Sequence, residues 1–238
     1  MTTNGLESLA EALVDDGKGI LAADETPGTL IKRFETLGIQ SIEESRRRYR
    51  EMLFTTPGLA EFISGVILQD ETIRQKSSDS VPLAEVLSRQ GIVPGIKVDL
   101  GAKPLAGFPN ETITEGLDGL RDRLAGYRAM GARFAKWRAV VRIAETLPSD
   151  ACVLANAHAL AQYAALCQEQ QLVPVVEPEV LMDGRHTIGR CEKVTANVLH
   201  SVFAALFEQG VRLAYKESME ADFNDARSAR HREQWHDD

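Results

Sequence analysis

The sequence predicts a parallel α/β architecture made of repeated strand–helix units. Three observations predict it. Short apolar, β-branched runs bounded by turn residues alternate with longer segments whose apolar residues recur at helical spacing. The runs start near residues 20, 65, 95, 134 and 173, which is one unit per roughly 38 residues. Several runs also carry charge toward their C-terminal ends, where doubly covered parallel sheets assemble their sites.

The first run is GILAADE at 19–25, ending in Asp24 and Glu25. Thr26 then offers a helix N-cap, Pro27 fits the first helical position, and Gly38 stops that helix. GVILQ at 65–69 and PGIKVD at 94–99 give the second and third strands, the latter with Lys97 and Asp99. Leu117, Leu120, Leu124 and Tyr127 mark a helix, and FAKWRAV at 134–140 follows as a strand with Lys136 and Arg138. Leu154, Ala157, Leu160, Ala161 and Ala164 mark the next helix. LVPVVEPEV at 172–180 is the fifth strand, and 187–210 is a helix with Val194, Val198, Phe203 and Phe207 on its apolar face. VRLAY at 211–215 begins a sixth strand. Closing a (β/α)8 barrel takes eight units, on the order of 300 residues at this spacing. The expectation is therefore about five βα units plus the start of a sixth strand, with the first strand's edge unpaired and prone to aggregation. Residues 1–215 are expected to form this domain. Residues 216–238, with 11 charges in 23 positions and neither Gly nor Pro, are expected to be disordered or a loose helix.

Composition narrows the function. The 238-residue chain is 44% hydrophobic and 26% charged, as ordinary globular proteins are. A net charge of −8 argues against a nucleic-acid or anionic-membrane partner, while leaving room for a cationic pocket that takes small anions. No apolar run is long enough to span a bilayer, and the acidic N-terminal segment does not read as a secretory leader. Cys152, Cys167 and Cys191 are odd in number and widely spaced, which suits a reducing compartment better than a disulfide framework. A cytoplasmic protein is expected.

Residues i and i+2 of a strand share a face, so Lys97 with Asp99, Lys136 with Arg138, and Glu177 with Glu179 each stand together. Unpaired buried charge is expensive, so these groups pair inside or line a site. Any one strand alone reads equally well as a half-exposed strand or part of a structural ion-pair network; the set favours a site. Cations around an anion suit phosphate or carboxylate recognition. Carboxylates among lysines suit proton transfer, and a lysine among cations suits Schiff-base formation. A metal fits worse: His158, His186, His200, His231 and His236 show no ligand spacing near these strands. Neither a P-loop nor a GxGxxG fingerprint is present, and no cofactor is expected.

The stretches KGILAADETPGT (18–29), GIKVD (95–99), KPLAG (103–107), GLDGL (116–120), FAKWR (134–138) and PVVEPE (174–179) resemble class I fructose-bisphosphate aldolase, in order, over about residues 18–213. The resemblance implies a (β/α)8 TIM-barrel fold, a homo-oligomer, a phosphorylated sugar substrate and a lysine Schiff base. It further implies that Asp24 handles the proton at the carbon–carbon bond. Lys136 is a cation at the reacting centre with Arg138 beside it. Glu177 is the general acid/base, with Glu179 in support and Pro178 stiffening the turn between them. Lys97 and Thr29 lie near a substrate phosphate, and Lys32, Arg33 and Arg46 match a basic substrate-side cluster. For residues 43–51 the alternative is a solvated helix face. The family's Schiff-base lysine sits on strand six in a Glu-Gly-x-x-Leu-Lys-Pro-Asn context. Here that register falls at Met219, and Lys216 nearby lacks the flanking pattern. Lys103 and Lys136 match other family positions. The family's strands seven and eight, with their phosphate loop, have no counterpart, as in a truncated or frame-shifted chain. The expectation is an aldolase by descent that is catalytically impaired; the alternatives are a non-catalytic interaction protein or a residual sugar-phosphate binder.

Overall fold

The computed structural model describes residues 3–14 and 17–213. In chain order its elements are α1 Thr3–Leu13, β1 Gly19–Ala22, α2 Pro27–Glu35, α3 Glu43–Phe54, α4 Leu59–Phe62, β2 Ile63–Leu68, α5 Asp70–Ile73, α6 Leu83–Ser88, β3 Val93–Lys97, β4 Ala102–Pro104, β5 Thr112–Thr114, α7 Leu120–Ala129, β6 Phe134–Val141, α8 Asp150–Glu169, β7 Val173–Val180 and α9 Ile188–Glu208.

Five parallel strands form one sheet in the order β1-β2-β3-β6-β7. Each strand's odd and even residues separate cleanly. Val66, Leu68, Ile96, Ala135, Trp137 and Ala139 point outward and are buried with Leu83, Leu87, Leu124, Leu160, Tyr163, Val194 and Val198 of the covering helices. Tyr163 keeps its buried hydroxyl satisfied by donating to the Ala135 carbonyl at 2.6 Å.

The other face is concave. Leu6 and Leu13 of α1 pack with Ile67 of β2, Phe134 of β6 and Val173 of β7 in a second small core. Strands β2 and β6 are separated by β3, yet a Cβ on Gly65 would lie 3.1 Å from the Phe134 ring. Only a strongly curled sheet brings them so close. Its N-terminal mouth is closed by α1 and the Phe134 ring, which leaves the C-terminal half of the concavity for polar side chains.

The strands fall where the hydrophobic runs place them, with shifted ends. Asp24 and Glu25 follow β1 and Asp99 follows β3, so these acids sit on the loops just past the strands. Pro178 makes no turn. β7 runs straight through it, pairing Arg138 with Glu177, Ala139 with Pro178 and Val140 with Glu179; a proline is tolerated there because β7 is the last strand of the described sheet. Residues 211–213 form no strand, and the rest of the expected sixth strand, Lys216, Met219 and the 216–238 tail lie outside the described residues. In α9 the buried stripe is Val194, Val198, Val202 and Leu206, one position off the expected Phe203 and Phe207. The antiparallel β4–β5 hairpin was not anticipated; Thr112 and Thr114 fasten it to β6 by donating to the carbonyls of Val140 at 3.1 Å and Arg138 at 2.9 Å.

Candidate active site

Three strands deliver the central charges. In β6 the alternation that buries Trp137 outward turns Lys136 and Arg138 inward. In β7 the same alternation presents Glu177 and Glu179, and Asp24 joins them from the loop just past β1, next to buried Ala23. The Lys136 ammonium donates to Glu177 Oε2 at 2.9 Å and lies 3.3 Å from Asp24 Oδ2. Only 11% of its side chain is exposed. Two residues further along the strands, Arg138 pairs with Glu179, diagonal to its register partner Glu177. On the other side of Lys136, Lys97 is its register partner and pairs with Asp99. The Asp99 carboxylate also accepts from the main-chain N–H groups of Gly101 at 3.0 Å and Arg138 at 3.3 Å.

These contacts set protonation. Burial disfavours the Lys136 ammonium, but the Glu177 hydrogen bond and the charges of Asp24 and Glu177 outweigh burial and hold its pKa above the ordinary lysine value. Lys136 is thus a fixed cation and hydrogen-bond donor at neutral pH, not a free amine. The Arg138 hydrogen bond holds Glu179 below the ordinary glutamate value, and Glu179 in turn raises Arg138. A carboxylate within 3 Å of a lysine and open to the concavity can pass a proton to a bound oxygen, and the lysine can stabilise negative charge that develops there.

The residues expected around this centre divide. Arg33 on α2 pairs with Glu25, the neighbour of Asp24. Thr29 is taken up by the N-cap of α2, its hydroxyl 3.1 Å from that of Thr26. Arg46 makes a bidentate pair with Glu71 at 2.9 and 2.7 Å and donates to the Ser41 carbonyl at 2.9 Å. The helix bearing 43–51 carries ion pairs beside a solvated side: Arg47 joins Glu44 and Glu51 on the same helix, while Glu43, Glu44 and Arg48 are exposed. A second arginine joins Arg33 at Glu25: Arg50, which the sequence reading does not single out. Its side chain is 1% exposed, and it donates to Glu25 Oε2 at 2.6 Å and to the Glu25 carbonyl at 3.0 Å. The sequence signal was only its place one turn after Arg46. Among the described residues no group of three or more His, Cys, Asp or Glu side chains is arranged to hold a metal ion, and no helix is long and apolar enough to cross a membrane.

A family model described as fructose-bisphosphate aldolase class-I matches residues 5–220, extending the 18–213 resemblance at both ends. A probable class 1 fructose-bisphosphate aldolase of Xanthomonas axonopodis pv. citri is 61% identical over 213 residues, covering 90% of this chain and 64% of that protein. The cytosolic fructose-bisphosphate aldolase 6 of Arabidopsis thaliana is 52% identical over 197 residues, covering 83% of this chain and 55% of that protein. Among solved structures, Plasmodium falciparum fructose-bisphosphate aldolase, crystallised with TRAP and a small-molecule inhibitor, superposes with a TM-score of 0.86 at 47% identity, covering 87% of this chain and 60% of that one. The chain thus spans 64% or less of the length of each of these relatives. Its curled five-strand sheet is an incomplete TIM barrel. By sequence over nine-tenths of its length, and by fold, the chain belongs to the class I fructose-bisphosphate aldolase family.

Proposed function

We propose that this chain carries the proton-transfer side of a class I aldolase site, for the reversible cleavage of fructose 1,6-bisphosphate into dihydroxyacetone phosphate and glyceraldehyde 3-phosphate. The observation that carries the reading is the Lys136 ammonium, held at 3.3 Å by Asp24 and 2.9 Å by Glu177, carboxylates from two other strand ends. In this reading Glu177 is the general acid/base for carbinolamine dehydration, Asp24 takes and returns the proton at the carbon–carbon bond, and Lys136 stabilises the oxygen that gains charge. Glu179 fixes Arg138, and Lys97, Arg138 and Arg33 serve the substrate's phosphates. The homologous names, one of them cytosolic, support a cytoplasmic enzyme, and the family supports a homo-oligomer.

The reaction also requires an amine that forms a Schiff base and drains electrons from the carbon next to the ketone. At the family's register this chain has Met219, and Lys216 stands in a different context. Lys136 does not substitute, because its proton is held by two carboxylates. We therefore propose that the 238-residue polypeptide by itself turns over poorly or not at all. Borohydride trapping with dihydroxyacetone phosphate, read by intact mass and peptide mapping beside the Xanthomonas relative, tests this. No adduct here with a full adduct there is expected. An adduct at Lys216 refutes the impairment.

One observation favours a second reading, a sugar-phosphate binder without turnover: Lys97, Lys136 and Arg138 stand together on two adjacent strands, each held by carboxylates of the described residues. Saturable binding of triose phosphate that is lost in Lys136→Ala supports it, and no binding at millimolar ligand refutes it.

A further inference from the structure

The most deeply buried carboxylate of the concave face is one that the proposed chemistry does not use. The Asp99 side chain is 2% exposed. Two main-chain N–H groups point at it: that of Gly101 at 3.0 Å, on its own loop, and that of Arg138 at 3.3 Å, on the neighbouring strand β6. The Lys97 ammonium completes the set, contacting Asp99 Oδ1 and lying 3.4 Å from the Asp99 carbonyl. A carboxylate this far from water is costly unless such donors surround it.

The register explains what this arrangement achieves. Lys97 and Lys136 are direct partners on adjacent strands and project to the same face. Like charges placed opposite one another in a sheet repel. Each ammonium is stabilised by its own anions: Asp24 and Glu177 for Lys136, Asp99 for Lys97. With Asp99 neutral, Lys97 would be left facing Lys136 without an anion of its own. The remaining charged groups on this face, Arg138 and Glu179, satisfy one another.

We infer that Asp99 is a positioning residue of this site, one that holds the Lys97 ammonium in place and apart from the carboxylates of Lys136. It acts on ligand recognition through Lys97, and this second half rests on the reading of Lys97 as a phosphate ligand given above. The alternative role is local: the Gly101 contact closes a turn in which Gly101 has φ +91°, and that role needs no lysine.

Two measurements on the full chain separate the roles. The first is competitive acetylation of wild type and Asp99→Asn, quantified per lysine by mass spectrometry with exposed Lys103 as internal reference. Lys97 is expected to label about tenfold faster relative to Lys103 in the variant, the scale of losing one charge-assisted hydrogen bond. An unchanged ratio overturns the inference. Should Asp99→Asn not fold, Asp99→Ser, which keeps an acceptor for the Gly101 N–H, takes its place. The second is the affinity for dihydroxyacetone phosphate at fixed ionic strength. Asp99→Asn and Lys97→Met are each expected to weaken binding, and the double variant to bind no worse than Lys97→Met alone. Further weakening in the double variant means that Asp99 acts independently of Lys97 and overturns the inference. Absence of binding by the wild type refutes the phosphate reading instead, while the acetylation ratio still decides whether Asp99 holds the lysine.

Discussion

Replacing Gly95 by alanine puts the smallest possible probe into the floor of the concavity. The new Cβ would stand 2.2, 2.3 and 2.5 Å from three carbons of the Phe134 ring. Carbon atoms rest at about 3.5–4.0 Å, so the ring must retreat by about 1.3 Å. It has nowhere to go: Phe134 is fully buried and ringed by Leu6, Leu13, Ile67 and Val173. Overpacking of a closed core costs about 1–3 kcal/mol, and a clash with three carbons at the far edge of a rigid, enclosed ring belongs at the upper end of that range. Urea unfolding followed by circular dichroism reads the loss as a lower midpoint at constant slope. Phe134→Leu alone removes buried carbon and costs on the order of 1 kcal/mol. In the double variant the leucine vacates the space that the alanine needs, so the two losses should fall short of their sum by about 1 kcal/mol or more. A Gly95→Ala protein within about 0.5 kcal/mol of wild type, or strict additivity, would refute this account of how the floor is built.

The electrostatic contacts give three further expectations. Lys136→Met leaves Asp24 and Glu177 without their shared cation and should cost roughly 1–3 kcal/mol at neutral pH, less than a fully buried pair because Glu177 is partly solvated. Because the folded pKa of Lys136 is raised, its contribution is complete below the ordinary lysine value of 10.5 and fades as pH rises through the folded value; a wild-type advantage that grows above that pH would contradict the assignment. Glu179 behaves oppositely: with its folded pKa depressed, its contribution is present above 4.5 and disappears as pH falls through the folded value. The side chain is 37% exposed, so Glu179→Gln should cost below ~1 kcal/mol, and a deficit that widens toward pH 3 would be the wrong sign. Arg50→Met should cost about 1–3 kcal/mol, because Glu25 loses its buried partner but keeps the exposed Arg33, and Arg50→Lys should recover only part, since one ammonium replaces a fork that reaches both the carboxylate and the main-chain oxygen; full recovery by lysine in thermal melts would count against the fork.

Much of this was legible in the chain itself because strand period and charge coincide. Lys136 and Arg138 two apart in an apolar run, followed a unit later by Glu177 and Glu179, already specify four inward charges on two neighbouring strands. What was illegible depended on tertiary placement. Arg46 and Arg50 are one turn apart on α3 and indistinguishable by spacing, yet one meets Glu71 and the other meets Glu25. Pro178 looked like a turn because proline usually ends a strand, and only its place at the edge of the described sheet lets β7 continue. The short hairpin 102–114 has little alternation to read, being held by threonine hydroxyls on β6 carbonyls and not by an apolar face. In α9 the aromatic residues at 203 and 207 drew the predicted stripe one step off Val202 and Leu206, which continue the exact four-residue recurrence from Val194 and Val198.

Donor counting distinguishes a structural ion-pair network from a site. An ammonium has three N–H donors. Among the described residues Lys136 directs two of them, at Asp24 and Glu177, and Lys97 directs two, both at Asp99. Contacts to described residues thus account for two of each ammonium's three donors. A network serving stability alone gains by saturating its lysines, because every unused buried donor is a cost. Here two adjacent strands hold two lysines side by side, each anchored twice. Side-by-side lysines whose anions do not fill their donor capacity are what the proposed sugar-phosphate reading requires, and a pair of lysines saturated by protein acceptors would have argued for a purely structural network.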